Sequence, residues 1–310
     1  KKQKNNQSLK MILLGSSDEG PKKYLECIKD VNLKEKLFFI NKDKIHKLKS
    51  IDKKKIKLII TGTSLGNSID KKMVYFGRKN RIKTISIIEH WTNFQSRFKL
   101  NNKNYFPDRI LVNDKIALNF AIKNKLPKEK IDVVGNLRLE KIENYKLKKL
   151  SKWSKKEKKK YKRIILFISE PIKKDQRFLT TDYTYDEVST LKKLVKLIDK
   201  NTLLIIKVHP NEKINKFSNF KKKNIILKKK MKFSDMVKLP SKIVGIKSML
   251  LIELALLRNN IISYRPVKDN EFIGEKLGLT VLVRKNLKKY LDNFIKLKLR
   301  KKKFFQKSSQ

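Results

Sequence analysis

Apolar positions along this chain follow two rhythms. Short runs rich in Ile, Leu and Val stand at 9–14, 37–40, 56–60, 82–88, within 107–114 and within 126–136. Longer stretches between them place apolar residues three or four apart, as at 21–29 and 115–124, with the charged stretch 42–49 also read as a helix. Continuous β-branched runs that alternate with helical segments predict βαβ units and a parallel sheet, because such strands are buried on both faces. Six strand-then-helix units fit into residues 1–143, enough for one doubly wound α/β domain.

The stretch 144–162 is mostly Lys with no apolar period, and it reads as a linker. The alternation resumes at 163–285. Strands are expected at 163–168, 203–208, 225–227, 243–246, 261–264 and 279–283, and helices at 186–198, 233–237 and 249–257. Residues 176–185 show no period and read as a loop. A basic amphipathic helix at 286–299 and a frayed tail complete the region 286–310.

In open parallel sheets ligands bind outside the carboxyl ends of the strands, so the residues there are the candidates. In the second half they are Ser169-Glu170, His209-Pro210 and Lys247-Ser248-Met249, with Glu253 alone in an otherwise apolar helix. A small polar residue that opens a helix presents free N–H groups, which suits a phosphate. An unpaired carboxylate is costly to bury, so Glu253 requires a partner, a ligand hydroxyl or a nearby Lys. His209 reads either as a phosphate contact or as a strand-end ring tied to a carbonyl.

In the first half, Glu89-His90-Trp91 closes the fourth strand. A carboxylate and an imidazole there suit a general base, and an indole suits a stacking platform for a sugar; the other reading is a buried Trp in a capped turn. The segment 93–98 is expected to cover that site. Ser16 and Ser17 lie in a glycine turn without G-x-G-x-x-G spacing, either a tight βα turn or a rim loop. Thr63 lies in a small-residue loop that allows close approach of a ligand or only a sharp turn. His46 reads as a solvated bystander.

Composition changes the picture in three ways. With 310 residues and 39% hydrophobic content there is material for two cores, and no apolar run is long enough to span a bilayer. The four-residue run after the basic start is too short for a signal-peptide core. The single cysteine, Cys27, cannot form an internal disulfide and reads as a buried small hydrophobe, which points to the cytoplasm. The net charge of +51 would suggest nucleic acid or an anionic membrane, yet only 11 of the 80 basic residues are Arg. Nucleic-acid readers add Arg forks and interleaved aromatics to Lys. The charge therefore reads as compositional bias with a peripheral preference for an anionic membrane surface. No Asp-x-Asp pair stands at a strand end, so no metal is expected.

Two such domains facing a central crevice resemble the GT-B glycosyltransferases. Lys207-Val208-His209-Pro210 resembles the His-Pro motif of bacterial polysialyltransferases and capsule-type transferases, in which the His contacts the donor phosphate. The run 246–255 resembles their serine motif, with Lys247 where the family has a first Ser, and with Glu253 where a helix Glu holds a sugar or ribose hydroxyl. Glu89-His90-Trp91 falls where those enzymes carry an acidic general base. The stretch 107–136 resembles the end of the acceptor domain of transferases and of nucleotide-sugar 2-epimerases, which implies that Gly135 and Asn136 line the crevice. The resemblance implies an inverting, metal-free glycosyltransferase that takes a nucleotide-activated sugar, CMP-linked rather than UDP- or CDP-linked. It would act on a surface polysaccharide or lipid-linked glycan, with no cofactor. The alternatives are a nucleotide-sugar 2-epimerase, for which His and strand-end acids are scarce, and a Lys-rich nucleic-acid-binding protein.

Overall fold

The structure is a computed structural model that describes residues 10–28, 33–175, 185–267 and 272–293. The chain divides into two compact units with the boundary between Glu140 and Lys141.

The first unit is a six-stranded, fully parallel sheet. Its chain order is β1 (Met11–Gly15), α1 (Glu19–Cys27), β2 (Lys36–Ile40), β3 (Ile56–Thr61), α2 (Ile69–Lys79), β4 (Thr84–Ile88), a small hairpin β5 (Lys99–Leu100) and β6 (Lys103–Asn104), β7 (Arg109–Val112), α3 (Lys115–Lys123) and β8 (Ile131–Val133). Laterally the strands run β2-β1-β3-β4-β7-β8. Successive residues of β1 point to opposite faces. Leu13 joins Ile40, Ile59 and Met73 on one side, while Ile12 and Leu14 join Tyr24, Leu25 and Ile87 on the other. The charged stretch at 42–49 forms a 3-10 helix, Lys42–Leu48. Helix α2, the hairpin and α4 (Leu137–Glu143) add to the expected elements. α2 lies close because residue 77 is Gly: a Cβ there would come within 2.3 Å of Thr84.

The second unit begins at Lys141 and takes in the whole stretch expected to be a linker, 144–162. Residues 152–160 form helix α5 (Lys152–Lys160), capped by Ser151, whose hydroxyl accepts from Ser154 N, and they turn Ser154 and Glu157 inward. Ser151 N donates to Asp235 (2.9 Å) and Lys148 N to Ser234 (2.9 Å), so this basic segment is built into the unit. Lysine favours helix strongly enough that a short helix whose inward residues are Ser154 and Glu157 forms once tertiary partners exist.

The rest is β9 (Arg163–Ile168), α6 (Ile172–Asp175), α7 (Glu187–Val195), β10 (Thr202–Lys207), β11 (Ile225–Lys228), α8 (Phe233–Lys238), β12 (Lys242–Gly245), α9 (Met249–Ala255), β13 (Ile261–Tyr264), α10 (Ile273–Lys276), β14 (Val281–Val283) and α11 (Leu287–Asp292). The order is β11-β10-β9-β12-β13-β14, again all parallel. Its central strands are buried on both faces, as their uninterrupted apolar sequence requires. The expected loop lies outside the described residues except for Tyr185, as do 294–299 of the expected last helix and the tail. Among the described residues no helix is long and apolar enough to cross a membrane.

Candidate functional site

In each sheet the lateral order reverses at one place, and the loops leaving the two strands there open a crevice. In the first unit that place lies between β1 and β3. Gly62 N donates to Gly15 O (2.9 Å), which draws the two loops together. Ser17 N donates to Asp70 Oδ2 (3.2 Å) and Ser17 Oγ accepts from Ile69 N (2.8 Å). Ser64 Oγ accepts from Asp18 N (3.0 Å) and lies 3.4 Å from Ser16 Oγ. A Cβ on Gly62 would strike Pro21 and Ser16, so the approach needs glycine.

Charge is concentrated behind these loops. Arg97 is buried; it donates from Nε to Thr92 O (2.9 Å) and from Nη1 to Thr63 O. Burial pulls its pKa down, while Glu89, Asp18 and Asp70 oppose that pull. Asp70 is buried with Oδ1 lacking a hydrogen-bond partner, and burial pushes its carboxyl up. Lys71 donates to Gly66 O and Ser96 O (both 2.7 Å), and burial brings it down to about 8. The segment 93–98 does cover something, since Phe94, Arg97 and Phe98 are all buried.

Glu89 is buried against Gly20, where a Cβ would fall 2.5 Å from Glu89 Oε1. His90 is half-buried; its Nδ1 accepts from Trp91 N (3.0 Å) and lies 2.9 Å from Thr92 Oγ1, which leaves Nε2 as the protonated nitrogen of the neutral ring. Trp91 corrects the expectation of a stacking platform. Its indole is 3% exposed and its N–H is held by the Asp114 carboxylate at 2.9 and 3.1 Å, so the ring belongs to the core. Gly135 and Asn136 are likewise structural. Gly135 adopts φ +82°, and the Asn136 amide donates to Asn113 (3.0 Å) and accepts from Leu139 N (3.0 Å), so the Asn136 side chain is engaged in holding the strand ends. Asn113 in turn donates to Glu89 O (2.8 Å), tying together the ends of β4, β7 and β8. Thr63 is buried and donates to Ile87 O (3.1 Å). Cys27 is half-buried rather than buried, and its thiol meets Lys23 O. His46 is exposed.

In the second unit the reversal lies between β9 and β12, and β10 is the next neighbour of β9. The carboxyl ends of these three strands carry Ser169-Glu170, His209-Pro210 and Lys247-Ser248 side by side. Glu170 Oε2 accepts from Lys247 N (2.8 Å), so a carboxylate takes one of the N–H groups at the turn into α9. Ser248 caps α9 by accepting from Leu250 N (3.3 Å). Met249 is half-buried, Glu253 is buried in the same helix, and Gly245 lets Leu251 pack against the strand end. His209 Nδ1 accepts from Asn211 N (3.2 Å), which fixes the ring and makes Nε2 the protonated nitrogen of the neutral imidazole. Pro210 is exposed.

Sequence reasoning missed Glu212. It is buried, accepts from Ser169 Oγ (2.5 Å) and His209 N (3.3 Å), and pairs with Lys216 (2.6 Å), which also bridges to the fully buried Glu187. Burial alone would lower Lys216, but its hydrogen bonds to the two carboxylates outweigh that and raise it. The available signal was position: an acid three residues after a strand-end His-Pro can fold back on the turn. Asp70, Lys71 and Arg97 gave no such signal, since only the fold gathers them.

No family model matches the sequence, and no curated protein matches it either. Solved structures do share the fold. The S. aureus MnaA–UDP complex superposes with a TM-score of 0.61 at 12% identity, over 91% of this chain and 85% of that one. The UDP-GlcNAc 2-epimerase of Methanocaldococcus jannaschii, solved with UDP-GlcNAc and UDP, gives 0.60 at 15% identity over 90% and 91%. The UDP-N-acetylglucosamine 2-epimerase of Rickettsia bellii gives 0.59 at 14% over 89% and 83%. The chain is therefore an α/β protein with two Rossmann-like units in a GT-B-like fold. The glycosyltransferase assignment is corrected by these neighbours, two of which are UDP-N-acetylglucosamine 2-epimerases and none a glycosyltransferase by name, and the capsule-type resemblance is left without support beyond its short motifs.

Proposed function

We propose that the chain is a nucleotide-sugar 2-epimerase acting on a UDP-linked N-acetylhexosamine. One observation carries this reading: the fold matches the M. jannaschii UDP-GlcNAc 2-epimerase along 90% of this chain and 91% of that one. In this reading the diphosphate sits at the carboxyl ends of β9, β10 and β12. His209 donates to it from Nε2, the Lys247–Ser248 turn supplies N–H groups and the Lys247 cation, and Glu253 accepts from a ribose hydroxyl. Pro210 and Met249 shape the turns, and Glu212 is a positioning residue that holds the His209 backbone.

C2 of a 2-acetamido sugar has no neighbouring carbonyl to hold an electron pair. Inversion there needs a base that takes the C2 proton as the C1–O bond to UDP breaks, giving a 1,2-unsaturated sugar and UDP. It also needs an acid that returns a proton to the opposite face of C2 as UDP rejoins C1. Glu89 and His90 are the proposed pair, with Ser16, Ser17 and Thr63 on the loops beside them. The objection that acids are scarce at strand ends weakens once Asp70, Glu170 and Glu212 are counted, because each lies within a turn or two of a strand's carboxyl end. No acceptor glycan is needed. A reducing compartment fits the single cysteine.

The test is incubation with UDP-GlcNAc in D2O, followed by proton NMR. The expected result is deuterium at C2 together with a second UDP-sugar, both lost in Glu89→Gln. UDP that raises the melting point while C2 keeps its hydrogen for hours would refute the epimerase and leave a UDP-binding protein. CMP serves as the comparison nucleotide.

A further inference from the structure

Positive charge is spread along the whole chain, but on one face of the second unit it goes unopposed. Residues 144–162 carry ten exposed lysines and residues 221–238 carry seven. The only acids in these two segments, Glu157 and Asp235, are buried. The segments are packed on one another. Tyr161 Oη donates to Lys223 O (3.0 Å), Tyr145 meets Phe233 edge to face with centroids 5.3 Å apart, and Lys228 Nζ lies 4.2 Å from the centre of the Trp153 ring. Lys148 and Ser151 bond to the first turn of α8. The lysines therefore form one continuous surface at the β11 edge of the sheet.

Helix α5 sets the direction of that surface. Ser154 and Glu157 face the unit. Lys152, Lys155, Lys156 and Lys159 stand at i, i+3, i+4 and i+7, one stripe on the opposite side. Four like charges on one stripe repel each other, which gives a helix no stability of its own. Asp235 meets the backbone of the helix start, so none of the stripe's ammonium groups is neutralised there.

We propose that this face is the docking surface for an anionic lipid bilayer. Three features favour lipid over nucleic acid. No Arg lies in either segment, so no guanidinium fork is available for phosphodiester or base-edge recognition. The aromatics of the patch are engaged, Trp153 beneath Lys228 and Tyr145 against Phe233, so none offers a base-stacking platform. Flexible lysines in number match a fluid layer of anionic headgroups, to which each adds a small increment within a Debye length. The stripe has no apolar residue to insert, so binding is adsorption and salt reverses it.

The experiment is vesicle co-sedimentation of the full chain, with phosphatidylcholine alone or with about a third phosphatidylglycerol. The patch variant is Lys152→Glu/Lys155→Glu/Lys156→Glu/Lys159→Glu, and the same four positions changed to Gln serve as a milder form. The control is Lys54→Glu/Lys79→Glu/Lys123→Glu/Lys128→Glu, which lowers net charge by the same amount on exposed residues of the first unit. The expected result is binding that depends on phosphatidylglycerol. Its half-saturating lipid concentration should rise at least tenfold in the Glu patch variant, several-fold in the Gln form and less than threefold in the control. Equal losses in patch and control would assign the binding to net charge and overturn the proposal. So would wild-type protein that ignores the anionic vesicles, or a patch variant that keeps vesicle binding and loses a 20-base-pair DNA duplex instead.

Discussion

The two units have the same architecture and differ at the point where each sheet reverses. In the first unit the β1/β3 loops are cross-linked by serines, and behind them lie Arg97, Asp70 and Lys71, all buried. In the second unit the β9/β12 end is more open. A half-buried imidazole, an N-capping serine and the Glu170 carboxylate stand there, while the buried Glu212, paired with Lys216, braces the Ser169 and His209 turns from behind. A buried ionic cluster holds loops in place because removing one partner strands the others. A few polar groups at the ends of rigid strands are better suited to receive a ligand. The difference teaches that one fold can fill the same topological position with a buried ionic cluster in one unit and leave polar groups at the strand ends in the other.

The sharpest way to break this comparison is Arg97→Met. It takes a donor from the Thr63 and Thr92 carbonyls and a buried cation from among Glu89, Asp18 and Asp70, so a loss of about 3 kcal/mol is expected. Calorimetry should show the loss in the first unit; an unchanged unfolding profile would mean that the cluster carries no weight. Next in size is His209→Ala, expected to weaken UDP binding by roughly tenfold, on the scale of one charge-assisted hydrogen bond. Its melting point without ligand should stay within a degree or two of wild type, whereas Arg97→Met should fail that same check.

Glu170→Gln has the opposite sign. The amide still accepts from Lys247 N, but the negative charge beside the proposed diphosphate is gone. UDP should bind roughly three- to tenfold more tightly by calorimetric titration; weaker binding would place the nucleotide elsewhere. The smallest effect is in the pH dependence of the first unit. Lys71 titrates at about 8 when folded, below the ordinary 10.5 of an unfolded chain. The unfolded state therefore holds more protons between those values, so this group makes stability rise with pH across that window. In Lys71→Met the rise should be missing, as read from the difference between chemical denaturation of variant and wild type at pH 7.5 and 10.

The strands were legible along most of the chain because a strand buried on both faces must be apolar at every position, as in 163–168 and 261–264, whose bounds agree to the residue. Helix α2 was not legible. Its buried side includes Asp70 and Lys71, polar residues whose burial depends on partners at Ser17 and Ser96 that lie far away in sequence. The helix at 152–160 looked like linker because two of its inward residues are Ser and Glu.

At the strand ends of the two units, Glu89 in the first and His209 and Ser248 in the second could be singled out because each follows an apolar run, and a strand's end is a local property. Whether a flanking side chain faces a ligand or the core is not local. Trp91 and Asn136 could serve either purpose until Asp114 and Asn113 took up their polar atoms. Sequence alone thus determined the α/β alternation, the parallel sheets and the strand ends at which chemistry can occur, since these follow from burial and from backbone pairing between neighbours. Tertiary structure alone decided which charges gather at those ends, because Arg97, Asp70 and Glu212 find partners only when the sheet brings loops from distant parts of the chain together.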